Sequence, residues 1–346
     1  MPQRLPLAPS CSPALRAAQP LRWLGACALG LASVLAAAPA AMANDNFPNK
    51  PLRVVVGFAP GGGADVVARL VGAKMSGQLG QQVVVENRPG ATGTIAADNV
   101  ARSPADGYSL FLGSQSTMIV APAMYPKLAF DPLKDFTPVS QMVSMPLLLV
   151  VNPAMVKATT VAELTEELKA KGAGNATYAS SGQGGPQHIA GELYKKMIGL
   201  DITHVPYKGE SAALADVLGG HVPFMFANLP VAQTHVQSGK LRALAISSLE
   251  RHPKADGIPT MAESGFKDFE VLTWYGLFAP AKLPEPVLAK LSDAVTTSLK
   301  DAELRRNLDE QGLTIIGSTP QDFKQMLDTD TPRWDKAIKE MGLRPD

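Results

Sequence analysis

This 346-residue chain predicts an α/β protein of two similar lobes, each built on a mostly parallel sheet covered by helices. Three observations carry that prediction. Short β-branched apolar runs alternate with stretches of helical spacing from residue 51 onward, the pattern of strands buried on both faces. Glycine-rich turns follow two of those strands and lead directly into helix starts. The alternation then begins a second time near residue 177, although no repeat of fixed period is present.

The N-terminus stands apart from this pattern. Arg4, Arg16 and Arg22 supply charge without any acid, residues 24–38 form an apolar core, and Ala41-Met42-Ala43 gives a small-x-small cleavage site before Asn44. Residues 1–43 therefore read as a secretory signal peptide, too short in its apolar part to span a membrane. Leu24-Gly25-Ala26-Cys27 resembles a lipobox, but the apolar core follows Cys27 instead of ending at it, so lipidation is not expected. Cys11 and Cys27 both fall in this segment, which leaves the mature chain without disulfide or thiolate chemistry. Removing three arginines from 32 Lys/Arg and no acid from 31 Asp/Glu gives the mature chain a formal charge of −2. With no basic run, nucleic acid is not expected as a partner. No later segment reaches the roughly 18 apolar residues of a membrane helix, so a soluble protein outside the cytoplasm is expected.

The elements follow in order. Residues 51–56 predict a buried strand and 65–79 a helix with apolar positions at Val66, Val67, Leu70, Val71 and Met75. Gly80 ends that helix, and 83–85 is the next strand. Residues 91–101 form a small-residue helix, 108–113 a third strand, and 118–124 a further helix. Segments 136–139 and 146–151 are extended. Thr160 caps a helix over 161–170, and the second series then runs as strand 177–180, helix 186–198, strand 203–207, helix 211–218, strand 223–226, helix 231–238 and strand 241–246. Residues 284–308 and 320–341 read as helices, the last with Pro320 near its start and Gly342 beyond its end. The lobes are expected as 44–146 with 246–346, and 147–245.

In a parallel sheet, ligands bind beyond the carboxyl ends of the strands. Pro60-Gly61-Gly62-Gly63 lies there, where missing Cβ atoms and a helix start favour an anion. Asp65 is placed as a first-turn or capping carboxylate. Ser114, Ser116 and Thr117 leave the third strand at the same edge. In the second half, Ser180, Ser181 and Gly182 repeat the strand-to-glycine turn, and His188 falls in the following first turn, where the helix dipole should keep it neutral. Tyr207, Lys208 and Asn228 emerge at strand ends and can donate to a carboxylate.

Other chemistries lack their signatures. A dinucleotide fingerprint needs a third glycine where Val66 stands, and a phosphate loop needs Lys where Ala64-Asp65 stands. There is no Gly-x-Ser-x-Gly elbow. His188, His204, His221, His235 and His252 are scattered without cysteine or metal-ligand spacing. No metal, no cofactor and no catalysis are expected.

Together, Phe58-Ala59-Pro60-Gly61-Gly62-Gly63-Ala64-Asp65, Val83-Val84-Val85-Glu86-Asn87-Arg88-Pro89-Gly90, Pro104-Ala105-Asp106-Gly107-Tyr108, Tyr125-Pro126, Pro186-Gln187-His188 and His204-Val205-Pro206-Tyr207-Lys208-Gly209 make the chain resemble the Bug (TctC) family. These are periplasmic solute-binding components of tripartite tricarboxylate transporters, and the resemblance covers essentially all of the mature chain. It implies a type II periplasmic-binding-protein fold, two lobes joined by two crossover strands that close on a small carboxylate. It also implies a monomer that delivers its ligand to membrane permease subunits. Carried across, the family's site falls on Phe58, Ala59, Gly61, Gly62, Gly63 and Asp65 in one lobe, and on Ser180, Ser181, Gly182 and His188 in the other. The chain departs at Ala227, where many members carry Asp. A solute-sensing partner of a sensor kinase and a secreted hydrolase are the alternative readings.

Overall fold

A computed structural model describes residues 46–125 and 127–343. The expected signal peptide, Cys11 and Cys27 lie outside the described residues. The first series is β1 (Leu52–Val56), α1 (Gly63–Leu79), β2 (Val83–Asn87), α2 (Thr94–Ala101), β3 (Ser109–Ser114) and, after a π-type turn, α3 (Ala121–Met124). A long β4 (Phe136–Val151) leads to α4 (Val161–Lys171). The second series is β5 (Thr177–Ser180), α5 (Pro186–Ile198), β6 (Thr203–Pro206), α6 (Glu210–Leu218), β7 (Phe224–Asn228), α7 (Leu229–Gln237) and β8 (Arg242–Ile246). The chain closes with β9 (Leu272–Pro280), α8 (Glu285–Ser298), α9 (Ala302–Glu310), β10 (Thr314–Ile315) and α10 (Pro320–Glu340). Among the described residues no helix is long and apolar enough to cross a membrane.

The strands pair in the order β2-β1-β3-β9-β4-β7-β5-β6, with β8 and β10 also paired to β4. Each outer part is parallel: β1 with β2 and β3, β5 with β6 and β7. The middle is antiparallel, because β4 runs against β9, β7, β8 and β10. β4 pairs with β9 as far as Pro146 and with β7 from Leu147, so one strand passes from one half to the other. A second passage follows β8, where Ile246 bridges Thr260 and the chain enters β9 at Leu272.

Burial explains the β-branched runs. On β1, Val54 and Val56 pack with Val67, Val71 and Met75 of α1, while Val55 faces Ala96, Ala97 and Val100 of α2. On β4, Leu148 and Val150 join Leu214 and Val217 of α6, while Leu147, Leu149 and Val151 point to the opposite cluster with Phe224 and Phe226. Both faces are covered, and each such side chain contributes about 1.5–3 kcal/mol by leaving water.

Three local expectations change. The extended segments 136–139 and 146–151 are one strand with two register shifts against β9, and β9 had no assignment from the sequence. The expected helix 284–308 divides because the Asp301 side chain accepts from Leu304 N–H at 2.9 Å, capping a new helix. The expected helix 91–101 begins at Thr94, since Ala91 and Thr92 take left-handed φ values of 46° and 55°.

Candidate functional site

The helices α1 and α5 begin at the carboxyl ends of β1 and β5, and both starts open on one cavity of about 1290 Å³. Met145 of β4 with Thr273 and Tyr275 of β9 also line it. β4, which passes between the halves, and its neighbour β9 therefore contribute directly to the cavity wall.

From the first half, Phe58, Gly61 and Gly63 line the cavity. Gly61 holds φ at 81°, which a side chain would resist, and nothing stands within 4 Å of the place a Cβ would take. Asp65 fixes this loop from behind: it is buried, accepts from Gly61 N–H at 2.9 Å, Asn87 Nδ2 at 2.9 Å and Arg69 Nε at 3.0 Å. The bond from Arg69, with those from Gly61 and Asn87, outweighs burial and holds its carboxyl down at about 2. Asp65 thus does not face the cavity, and the Gly61 N–H expected for a ligand is already donated to it. Ala59 and Gly62 also lie off the lining. What remains is the α1 start, where Gly63 begins a first turn whose N–H groups have no acceptor within the helix.

Ser114 and Ser116 line the cavity beside Gly90, Ala91 and Thr92. Thr117 is fully buried and stands behind them. Its hydroxyl donates to Thr92 O at 2.8 Å and fills the space a Cβ on Gly93 would need, 2.6 Å away. A β-branched residue at φ 55° is strained, and Thr117 is the side chain that holds it at the cavity edge. Sequence reasoning placed Ala91 and Thr92 in a helix and so missed them as part of the cavity edge.

In the second half, Ser181 and Gly182 line the cavity, while Ser180 and His188 stand behind the loop. His188 Nδ1 accepts from Gly184 N–H at 3.1 Å, and its ring stacks on His204 with centroids 4.0 Å apart. Burial first, then the neighbouring His204 and Lys195, lowers its pKa to about 3. Burial is thus the leading cause of the depression, ahead of the neighbouring charges. Ser180 Oγ lies 2.6 Å from His204 Nε2 and accepts from Gly182 N–H at 3.1 Å. Tyr207 points away and donates to Asp216 at 2.5 Å; burial above all, with that carboxylate, pushes its pKa up to about 12.

Asn228 lines the cavity as part of a hydrogen-bonded chain that the sequence did not reveal. Its backbone N–H donates to Glu210 Oε1 at 2.5 Å and its Nδ2 to Glu210 Oε2 at 2.6 Å, while Thr273 Oγ1 donates to its Oδ1 at 3.0 Å. Gln187, nearly fully buried, also bonds Glu210 and accepts from Ser181 Oγ at 2.7 Å. Among the described residues, Glu210 and Lys208 are the only charged side chains of the lining, and Lys208 is exposed. Glu210 had a sequence signal, an acid just after Gly209 at the strand edge that carries the other loops. The helix expected from 211 left it unassigned, and it in fact opens α6. Among the described residues no three His, Cys, Asp or Glu come together as a metal site.

A cleft at the strand ends of two halves, walled in part by β4 and β9, defines a solute-binding protein of the type II periplasmic-binding-protein fold. The sequence profile of the tripartite tricarboxylate transporter family receptor, TctC, matches residues 67–343, and the chain belongs to that family. Protein BugT of Bordetella pertussis is 34% identical over 317 residues, 91% of this chain and 97% of that one. MatC of Rhodopseudomonas palustris, solved with bound malate, is 35% identical with a TM-score of 0.75, covering 84% of this chain and 100% of that one. Rpa4515 of R. palustris, solved with adipate, is 33% identical with a TM-score of 0.78, covering 86% and 100%.

Proposed function

We propose that this protein is a periplasmic receptor that captures a small organic carboxylate between its halves and delivers it to the membrane subunits of a tripartite tricarboxylate-type transporter. The observation that carries this reading is the meeting of two helix starts, α1 at Gly63 and α5 at Pro186, on one cavity without a buried Lys or Arg. Unpaired first-turn N–H groups and the partial positive charge of a helix start favour an anion without a fixed cation. The malate and adipate held by MatC and Rpa4515 support the same ligand class.

The cavity exceeds the ~300–1,000 Å³ of ordinary ligand pockets, so a small acid fills it only with water or after the walls approach. A ligand that gains N–H contacts from both walls binds the closed form better and thereby drives closure. In this reading the lobes are 44–146 with 246–346, and 147–245. The change of β4 partners between Pro146 and Leu147 supports that division. Periplasmic export rests on the N-terminal pattern of residues 1–43 together with the family.

The test is a thermal-shift screen of ligand-free protein, residues 44–346, against mono-, di- and aromatic carboxylates. At least one should raise the melting temperature with saturating dose dependence. No shift across the whole panel contradicts the reading.

A further inference from the structure

Glu210 places a carboxyl group in a cleft otherwise suited to an anion. Its neighbours show how it is held. Asn228 N–H and Asn228 Nδ2 donate to its two oxygens at 2.5 and 2.6 Å, and Gln187 bonds it as well. Both amides are held in orientation, Asn228 by the Thr273 hydroxyl and Gln187 by the Ser181 hydroxyl. The groups that converge on the carboxyl are amide donors, which suits an acceptor-only carboxylate. Burial opposes ionisation and raises the pKa, and the groups acting against burial are neutral amides and not a cation.

An ionised carboxylate has about four acceptor positions. Three are engaged by Asn228 and Gln187, and Glu210 lines the cavity. A plain carboxylate ligand would meet this group as a like charge in a partly desolvated site, which costs affinity. A cationic N–H group would supply both a fourth donor and the missing counter-charge.

Resting on the receptor reading above, we infer that Glu210 determines specificity: it receives a protonated amine on a ligand whose carboxylate is held by the glycine-rich helix starts. The cleft therefore prefers amino-bearing acids to acids of the same length without the amine.

Calorimetric titration of the ligand-free protein at pH 7.5 with matched pairs tests this: glutamate against glutarate, aspartate against succinate, 6-aminohexanoate against hexanoate, and 4-(aminomethyl)benzoate against benzoate. In the pair that fits the cleft, the amino member should bind at least about tenfold tighter, the size of one charge-assisted hydrogen bond. Glu210→Gln should abolish or reverse that preference while retaining carboxylate binding. If the variant does not fold, the wild-type ratio decides alone. Carboxylates that bind with no preference for the amine, or a preference unchanged in Glu210→Gln, overturn the inference and leave the receptor reading intact. No binding by any member overturns both.

Discussion

The two glycine-rich loops share a sequence grammar but are held by opposite physical means. The loop before α1 is fixed by charge: Asp65 gathers Gly61 N–H, Asn87 and Arg69. The loop before α5 is fixed by neutral groups: Ser180 holds Gly182, and uncharged His188 holds Gly184. A strand end followed by glycines thus specifies where donors are presented, while residues behind the loop decide what keeps them there. The difference makes the two loops respond to different pH ranges and different substitutions.

The largest contrast is expected from Asp65→Ala, which leaves Gly61 N–H and Asn87 without their buried acceptor. With Arg69 free to reach water, the loss should be about 2–3 kcal/mol in urea unfolding at pH 7. An effect below 0.5 kcal/mol, on the order of a surface substitution, would show that the charged network does not fix the loop.

Acid should act first on the second loop. The folded-state pKa of His188 is depressed from 6.5 to about 3, so its contribution is complete above 6.5 and is lost as pH falls, because the unfolded chain takes up a proton the folded chain refuses. Between pH 7 and 4.5 this removes about 2–3 kcal/mol of stability. His188→Gln should flatten that part of the profile. Asp65, depressed from 3.8 to about 2, contributes above 3.8 and begins to be lost only as pH falls below that value. A profile that His188→Gln leaves unchanged argues against the neutral histidine as the acid-sensitive group.

A smaller effect, about 1–2 kcal/mol, is expected for Gly61→Ala, because the added methyl has open space and only the left-handed backbone resists it. Its carboxylate affinity should fall with stability, which titration of the variant checks. The smallest belongs to Tyr207→Phe. Losing the bond to Asp216 should cost about 1 kcal/mol, and ligand affinity should stay within twofold, roughly the scatter of independent sites, since Tyr207 lies off the cavity. A large affinity loss there would return Tyr207 to the binding wall.

How much of this was legible in the sequence depends on range. Local signals, the run at 52–56, the glycines at 61–63 and Pro186 at a helix start, placed both loops at one sheet edge. β9 was hidden because Leu272–Pro280 mixes polar, aromatic and glycine residues, and its strand character comes from pairing with β3 and β4 far away in sequence. The roles of Asp65 and His188 were half legible: their positions beside the loops could be read, but not which way the side chains turn. Glu210 was missed because an acid at a helix start has an ordinary local explanation. Only the fold brings Asn228, Gln187 and Thr273 around it.

The central claim is that one carboxylate draws on both helix starts at once. An amide ¹⁵N–¹H titration with a carboxylate selected by thermal shift measures this directly, through Gly63 at the start of α1 and Gln187 in the first turn of α5. The account predicts that both amides move together with a single dissociation constant. Saturation of one with the other unmoved would contradict it.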